Sequence, residues 1–184
     1  MSRARKLHIK LKRLRCLGIR SESYSKRQLR GLGFLNIGEN VFVAKNTKFY
    51  DFSGSIGNGS RIDSFCIFTG KVQIGSQVHI APYCFFGGTG GLIELKNKSG
   101  IAAHSVLFTK SFDISYASQE TKIEGPIEIG ESCLIGHGCT IMPNVVVGDH
   151  TTVSAMSVID KSVGSFRVVK SFGSRVVISQ REPD

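Results

Sequence analysis

Between Glu128 and Ser162 the apolar positions fall six residues apart: Ile129, Ile135, Ile141, Val147, Val153 and Ile159. Two residues before most of them stands a small side chain (Cys133, Cys139, Thr151, Ser157, with Val145 slightly larger). Gly130, Gly136 and Gly148 follow directly after three of them. A period of six matches neither an α-helix at 3.6 nor a flat strand at 2. It matches a chain that turns a corner every six residues and stacks coil on coil, a parallel β-helix. Further back, Ile37, Val43 and Phe49 keep the same spacing. After one extra residue, Ile56, Ile62, Phe68, Ile74, Ile80 and Phe86 keep it again. In a chain that is only 41% hydrophobic, two unbroken runs of six at one spacing are not a chance pattern.

The interruptions are as informative as the runs. After Phe86 the segment Gly87-Gly88-Thr89-Gly90-Gly91 shifts the register by three, and Leu95, Ile101 and Leu107 resume it. The next inward slot falls on Asp113, and the polar residues after it are off register until Ile123. From Ile123 the spacing predicts an unbroken run to Ile159. An excursion loop near 111–123 is therefore expected, and in repeat proteins such excursions commonly build the binding face. Three hexads make a coil of roughly 18 residues rising ~4.8 Å, so the chain should hold about six coils. Ser25 is a suitable N-cap for a short helix whose Leu29 and Leu32 cover the open end of the solenoid. The organisation expected is a basic arm and capping helix over 1–33, the β-helix over 34–163, and a C-terminal cap and tail over 164–184. The tail abandons the six-residue period, as a closing strand or short helix would.

The net charge of +10 changes this picture little, because it is concentrated in the arm. Arg3, Arg5, Lys6, Lys10, Lys12, Arg13, Arg15, Arg20, Lys26, Arg27 and Arg30 face only Glu22 within the first 30 residues. The rest of the chain is close to neutral, which argues against a nucleic-acid-binding fold. Leu7, Leu11, Leu14 and Leu17 lie at helical spacing among the cations, so residues 1–20 could lie on an anionic membrane surface. A solvated arm, or one packed on a neighbouring subunit, is the alternative. The 5 cysteines include no CxxC pair, which points to small buried corner residues in a reducing, cytoplasmic compartment rather than to disulfides or zinc. No apolar run is long enough to span a bilayer.

From about Lys26 to Arg181 the sequence resembles the hexapeptide-repeat acyltransferases, particularly the branch that acetylates sugars of bacterial surface polysaccharides. The stretches that carry the likeness are LGFLNIGENVFV, IDSFCIFTGKVQIGSQVHIAPYCFFGG and IGHGCTIMPNVVVGDHTTVSAMSVIDKSV. The resemblance implies a left-handed β-helix, a homotrimer, and acetyl-CoA bound between subunits as acyl donor. It implies that backbone near Ala155 meets the pantetheine arm, that Gly136 lets that arm approach, and that Lys161 lies near the phosphates. Arg175 stands where relatives place a phosphate-binding Lys. Asp160 stands where Thr is frequent, and the neighbouring Pro of the family's tail is missing.

Acyl transfer from a thioester needs a base to take the acceptor's proton, and His serves at neutral pH. The loop position where many relatives carry this His is Ser111 or Phe112 here. His79, in VHIAPY, and His104, in IAAHSV, are the substitutes, with Asp113 orienting the base or binding the acceptor. His137 and His150 read as surface residues. The histidine spacings do not reproduce the zinc site of carbonic anhydrases built on the same fold, so no metal is expected. The function expected is acetyl-CoA-dependent acetylation of a sugar hydroxyl on a surface polysaccharide or its precursor. The alternatives are N-acetylation of a nucleotide-linked amino sugar and a non-catalytic trimeric interaction module.

Overall fold

The computed structural model describes residues 22–112, 122–172 and 175–180. It is a three-sided parallel β-helix, and the six-residue period is its cause. Each inward residue sits at the centre of a short strand, a corner follows, and the next inward residue starts the next face. On the first face seven parallel strands stack in order: β2 (Phe42–Val43), β4 (Arg61–Ile62), β6 (His79–Ile80), β8 (Gly100–Ile101), β13 (Leu134–Ile135), β16 (Thr152–Val153) and β18 (Arg167–Phe172). Seven coils result rather than about six, because β18 continues the stack after the period has lapsed. Its Val169 is buried as the earlier inward residues are. β19 (Arg175–Gln180) then pairs antiparallel with β18 and closes that end as a hairpin.

The second and third faces share one sheet: β1 (Phe34–Ile37), β3 (Lys48–Ile56), β5 (Ile67–Ile74), β7 (Phe85–Leu95), β9 (Val106–Phe108), β12 (Ile127–Ile129), β14 (Thr140–Ile141), β15 (Val146–Val147) and β17 (Val158–Ile159). β3, β5 and β7 run through a corner without breaking, with register shifts at the bend. The extra residue after Phe49 belongs to such a bend. Asp51 takes φ 45°, and Phe52 turns inward onto Phe34 and Phe49, with ring centroids 4.7 and 5.0 Å away. The Gly-rich shift after Phe86 is the equivalent bend of β7.

One expectation fails. Ile123 is not an inward residue; it is 39% exposed on β11 (Lys122–Glu124). That strand pairs antiparallel with β10 (Lys110–Phe112) as an arm leaving the coil. The next buried positions are Ile127 and Ile129 on β12. Ile123 happens to lie six residues before Ile129, so spacing alone could not tell arm from coil. The base of the arm is tied by Lys110 to Glu124 at 2.6 Å, and that ammonium holds the Glu124 carboxyl below its usual range.

The corners explain the small residues seen in sequence. Thr47 Oγ1, Cys66 Sγ, Cys84 Sγ, Ser105 Oγ and Cys139 Sγ each donate to a carbonyl of the next coil, at Asp63, Ala81, Ala102, Gly136 and Ser154. Cys133 and Thr151 do the same at another edge. The cysteines are therefore buried fillers, as expected, and also donors that occupy carbonyls a turn would leave unpaired. The helix α1 (Lys26–Gly31) has the expected Ser25 cap, closed reciprocally with Gln28, and buries Leu29 over the first coil.

Candidate active site

Among the described residues, His79, His104, Gly136, Ala155 and Lys161 lie on or beside the β-helix, and the question is which of them share a surface. His79 points outward from β6 beside Arg61 of the coil below. Its Nε2 lies 2.9 Å from Oδ2 of Asp63, whose other oxygen accepts from Arg61 Nε. The Asp63 side chain is only 13% exposed, and the Arg61 guanidinium sits over the Phe42 ring, 5.4 Å from its centroid. A neutral His79 that donates Nε2–H to the carboxylate leaves Nδ1 to accept a proton. Asp63 is the carboxylate that His79 meets. Asp113 lies outside the described residues.

His104 belongs to a different group. It sits at the edge between the first and second faces, three residues before the inward Leu107, with φ 61°. Its ring stacks on Tyr83 at 5.0 Å and 7°, and meets the edge of His137 at 5.2 Å and 65°. Tyr83 in turn stacks on Phe65 at 5.0 Å. The edge is continuous through the coils. The N–H groups of Tyr83, His104, Gly138 and Met156 donate to the carbonyls of Ser64, Pro82, Ala103 and His137.

This edge also carries the residues expected to meet the acyl donor. Ala155 is exposed on it, next to Met156. Gly136 lies beneath: a Cβ there would stand 2.5 Å from the Ala155 nitrogen. The absent side chain thus first serves coil stacking. From the Ala155 coil to the His104 coil is two steps, roughly 10 Å at ~4.8 Å each. The fold therefore aligns His104, Gly136 and Ala155, whereas His79 stands in mid-face two strands below β13 on the first face. Lys161 is exposed just past β17, and Arg175 opens β19, where its backbone alone is described.

Tyr83, His137 and Asp63 were missed in the sequence, although a signal for two of them was present. Phe65, Tyr83, His104, Gly138 and Met156 each stand three residues before an inward position, and all have φ between 60° and 66°. Reading that phase would have collected the column, with His137 as the neighbour of Gly138.

Comparison with known proteins agrees with the fold. The family model "Bacterial transferase hexapeptide (six repeats)" matches residues 126–161. The dTDP-4-amino-4,6-dideoxy-D-glucose acyltransferase of Escherichia coli is 30% identical over 154 residues, spanning 77% of this chain and 80% of that enzyme. AntD, an N-acyltransferase from Bacillus cereus, superposes in complex with dTDP and 3-hydroxybutyryl-CoA at TM-score 0.78 and 30% identity, covering 89% of this chain and 92% of AntD. A variant of AntD in complex with dTDP-4-amino-4,6-dideoxyglucose and coenzyme A superposes at TM-score 0.81 and 29% identity, over 90% and 92% of the two chains.

Proposed function

Because the chain belongs to the hexapeptide-repeat sugar acyltransferases, we propose that it transfers an acyl group from a coenzyme A thioester to the amino group of a nucleotide-linked amino sugar. The observation that carries this reading is the likeness, over most of each chain, to two proteins that handle a dTDP-linked 4-amino sugar. The edge fits the donor: Ala155 is exposed on it, Gly136 and Gly138 carry no Cβ, and Lys161 offers an exposed cation beyond. Phosphates need such cations, and an amide-bearing arm needs accessible backbone.

On this reading His104 is the base. The acceptor nitrogen attacks the thioester carbonyl, forming the C–N bond as its proton passes to the imidazole. The tetrahedral intermediate collapses with cleavage of the C–S bond, and the imidazolium returns the proton to the departing sulfur. An amine is a stronger nucleophile than a hydroxyl, so the missing loop histidine matters less here.

Acetylation of a sugar hydroxyl is the second reading, and the His79–Asp63 pair favours it, since a hydroxyl demands an oriented base. One assay separates the two. Acetyl-CoA with dTDP-4-amino-4,6-dideoxyglucose should release free thiol and give a product heavier by one acetyl group, and His104→Ala should lower kcat by about 10²–10⁴. Turnover of hydroxyl-only glycans instead, lost in His79→Ala and kept in His104→Ala, would transfer the function to the second reading.

The working unit we assign is a homotrimer in the cytoplasm. On the second face Ile67, Phe85, Val106, Thr140 and Val158 stack in register and point outward. Such an apolar column on a neutral coil fits a neighbouring copy. No helix among the described residues is long and apolar enough to cross a membrane. Residues 1–20, which lie outside the described residues, are assigned peripheral contact with anionic lipid; their deletion should abolish cosedimentation with phosphatidylserine vesicles.

A further inference from the structure

We propose that Tyr83 is a positioning residue for His104. The proposal rests on the reading of His104 as the base. Its own observation is the aromatic column. Phe65, Tyr83 and His104 occupy three successive coils with stacked rings, 5.0 Å apart at 16° and then 5.0 Å apart at 7°, and His137 closes the column above by its edge. An imidazole held flat between a phenol ring and a second imidazole has lost its freedom to swing about the Cβ–Cγ bond. Its nitrogens are then directed sideways, out of the column, at the height of the edge two coils from Ala155.

The backbone of these three residues is left-handed. Phe65, Tyr83 and His104 have φ of 64°, 63° and 61°. L-residues avoid that region, Gly, Asn and Asp enter it most readily, and bulky aromatics are outliers there. Elsewhere in the molecule the same conformation is taken by Asn40, Gly59, Asn144 and Gly138, which suit it, but also by Gln77, Lys98, Ser132, His150, Met156 and Phe166, so it belongs to the corners of this coil and does not by itself call for an aromatic. Nor does burial explain the choice, since Phe65 and Tyr83 are 51% and 53% exposed. Two large rings stand half in solvent, in a conformation they disfavour, directly beneath the candidate base.

The test exploits the opposition between strain and activity. Tyr83→Asn puts a residue suited to φ 63° at the corner and removes the stack. Its melting temperature should equal or exceed that of the parent chain, while kcat with acetyl-CoA and dTDP-4-amino-4,6-dideoxyglucose falls about tenfold to a hundredfold, the scale expected for a displaced catalytic group. KM for acetyl-CoA should stay within about twofold, because only orientation of the base changes. Tyr83→Phe keeps the ring and should recover the rate lost in Tyr83→Asn. An unchanged kcat in Tyr83→Asn, with His104→Ala inactive, overturns the positioning role and leaves the base in place. Full activity in His104→Ala overturns the reading beneath it. A Tyr83→Asn chain that loses both rate and stability, with Tyr83→Phe failing to recover the rate, assigns Tyr83 to packing and also overturns the proposal.

Discussion

At Gly136 an added Cβ would meet the Ala155 nitrogen at 2.5 Å, and the Ser154 carbonyl carbon and Val153 oxygen at 2.7 Å. All three are backbone atoms of the next coil and cannot rotate aside. Gly136→Ala must push two coils apart, and we expect a loss of about 1–3 kcal/mol, seen as a lower urea midpoint at unchanged slope. Gly100→Ala is the contrast, since the nearest atom is the flexible Cδ1 of Leu134 at 3.3 Å; its stability should change by less than about 0.5 kcal/mol. The cysteines give a second residue-scale expectation. The neighbouring Cys84 thiol and burial push the Cys66 thiol up, and burial does the same to Cys139. Cys66 and Cys139 should therefore resist a thiol reagent at neutral pH until the chain is unfolded; rapid labelling of the native protein at either would contradict the packing described. That the cysteines fill corners was legible from their phase against Phe68, Phe86, Ile135 and Ile141. Their hydrogen bonds to the next coil were not, because the acceptors lie 15 to 18 residues away and no local pattern names them.

At the scale of elements, periodic segments were readable, and of their interruptions the positions were readable but the form was not. α1 followed from its cap: Ser25 Oγ accepts from the Gln28 N–H, and the Gln28 side chain accepts from the Ser25 N–H at 2.9 Å. Ser25→Ala should weaken this cap by about 1 kcal/mol, which hydrogen exchange would register as faster exchange at Gln28 and Leu29 before any change in the coils. The β10–β11 arm shows the opposite case. A loop was expected near 111–123 because Asp113 occupied an inward slot, yet Ile123 still read as the restart of the coil. Period-six logic cannot see an antiparallel pair, whose register is set by the turn joining its strands. The arm also carries a pH dependence with a definite sign. The Glu124 carboxyl is held low by Lys110, so the tie is complete above the ordinary carboxylate range and is lost as pH falls through the lowered value. Both partners are solvent-exposed, so the effect on global stability is small.

For the whole molecule, the decisive question is what one β-helix leaves undone. Its core is closed at the helical end by α1 and at the other by the β18–β19 hairpin, but its second face exposes Ile67, Phe85 and Val158 in one in-register column. Hydrophobic burial between copies is the direct way to remove that column from water, and it would set the edge bearing His104 and Ala155 against a neighbouring subunit. Assembly and catalysis are then linked. Ile67→Asp with Val158→Asp changes two outward side chains, so the coil itself should survive with an unchanged far-ultraviolet spectrum. If the proposed trimer forms through this face, sedimentation velocity should show monomer at micromolar concentration, and acyl transfer should fall with it where the donor site is shared between copies. If the double variant stays trimeric, the second face is not the interface. If it becomes monomeric yet keeps its rate, the edge of a single chain is a complete site, and the arrangement of His104, Gly136 and Ala155 suffices without a partner.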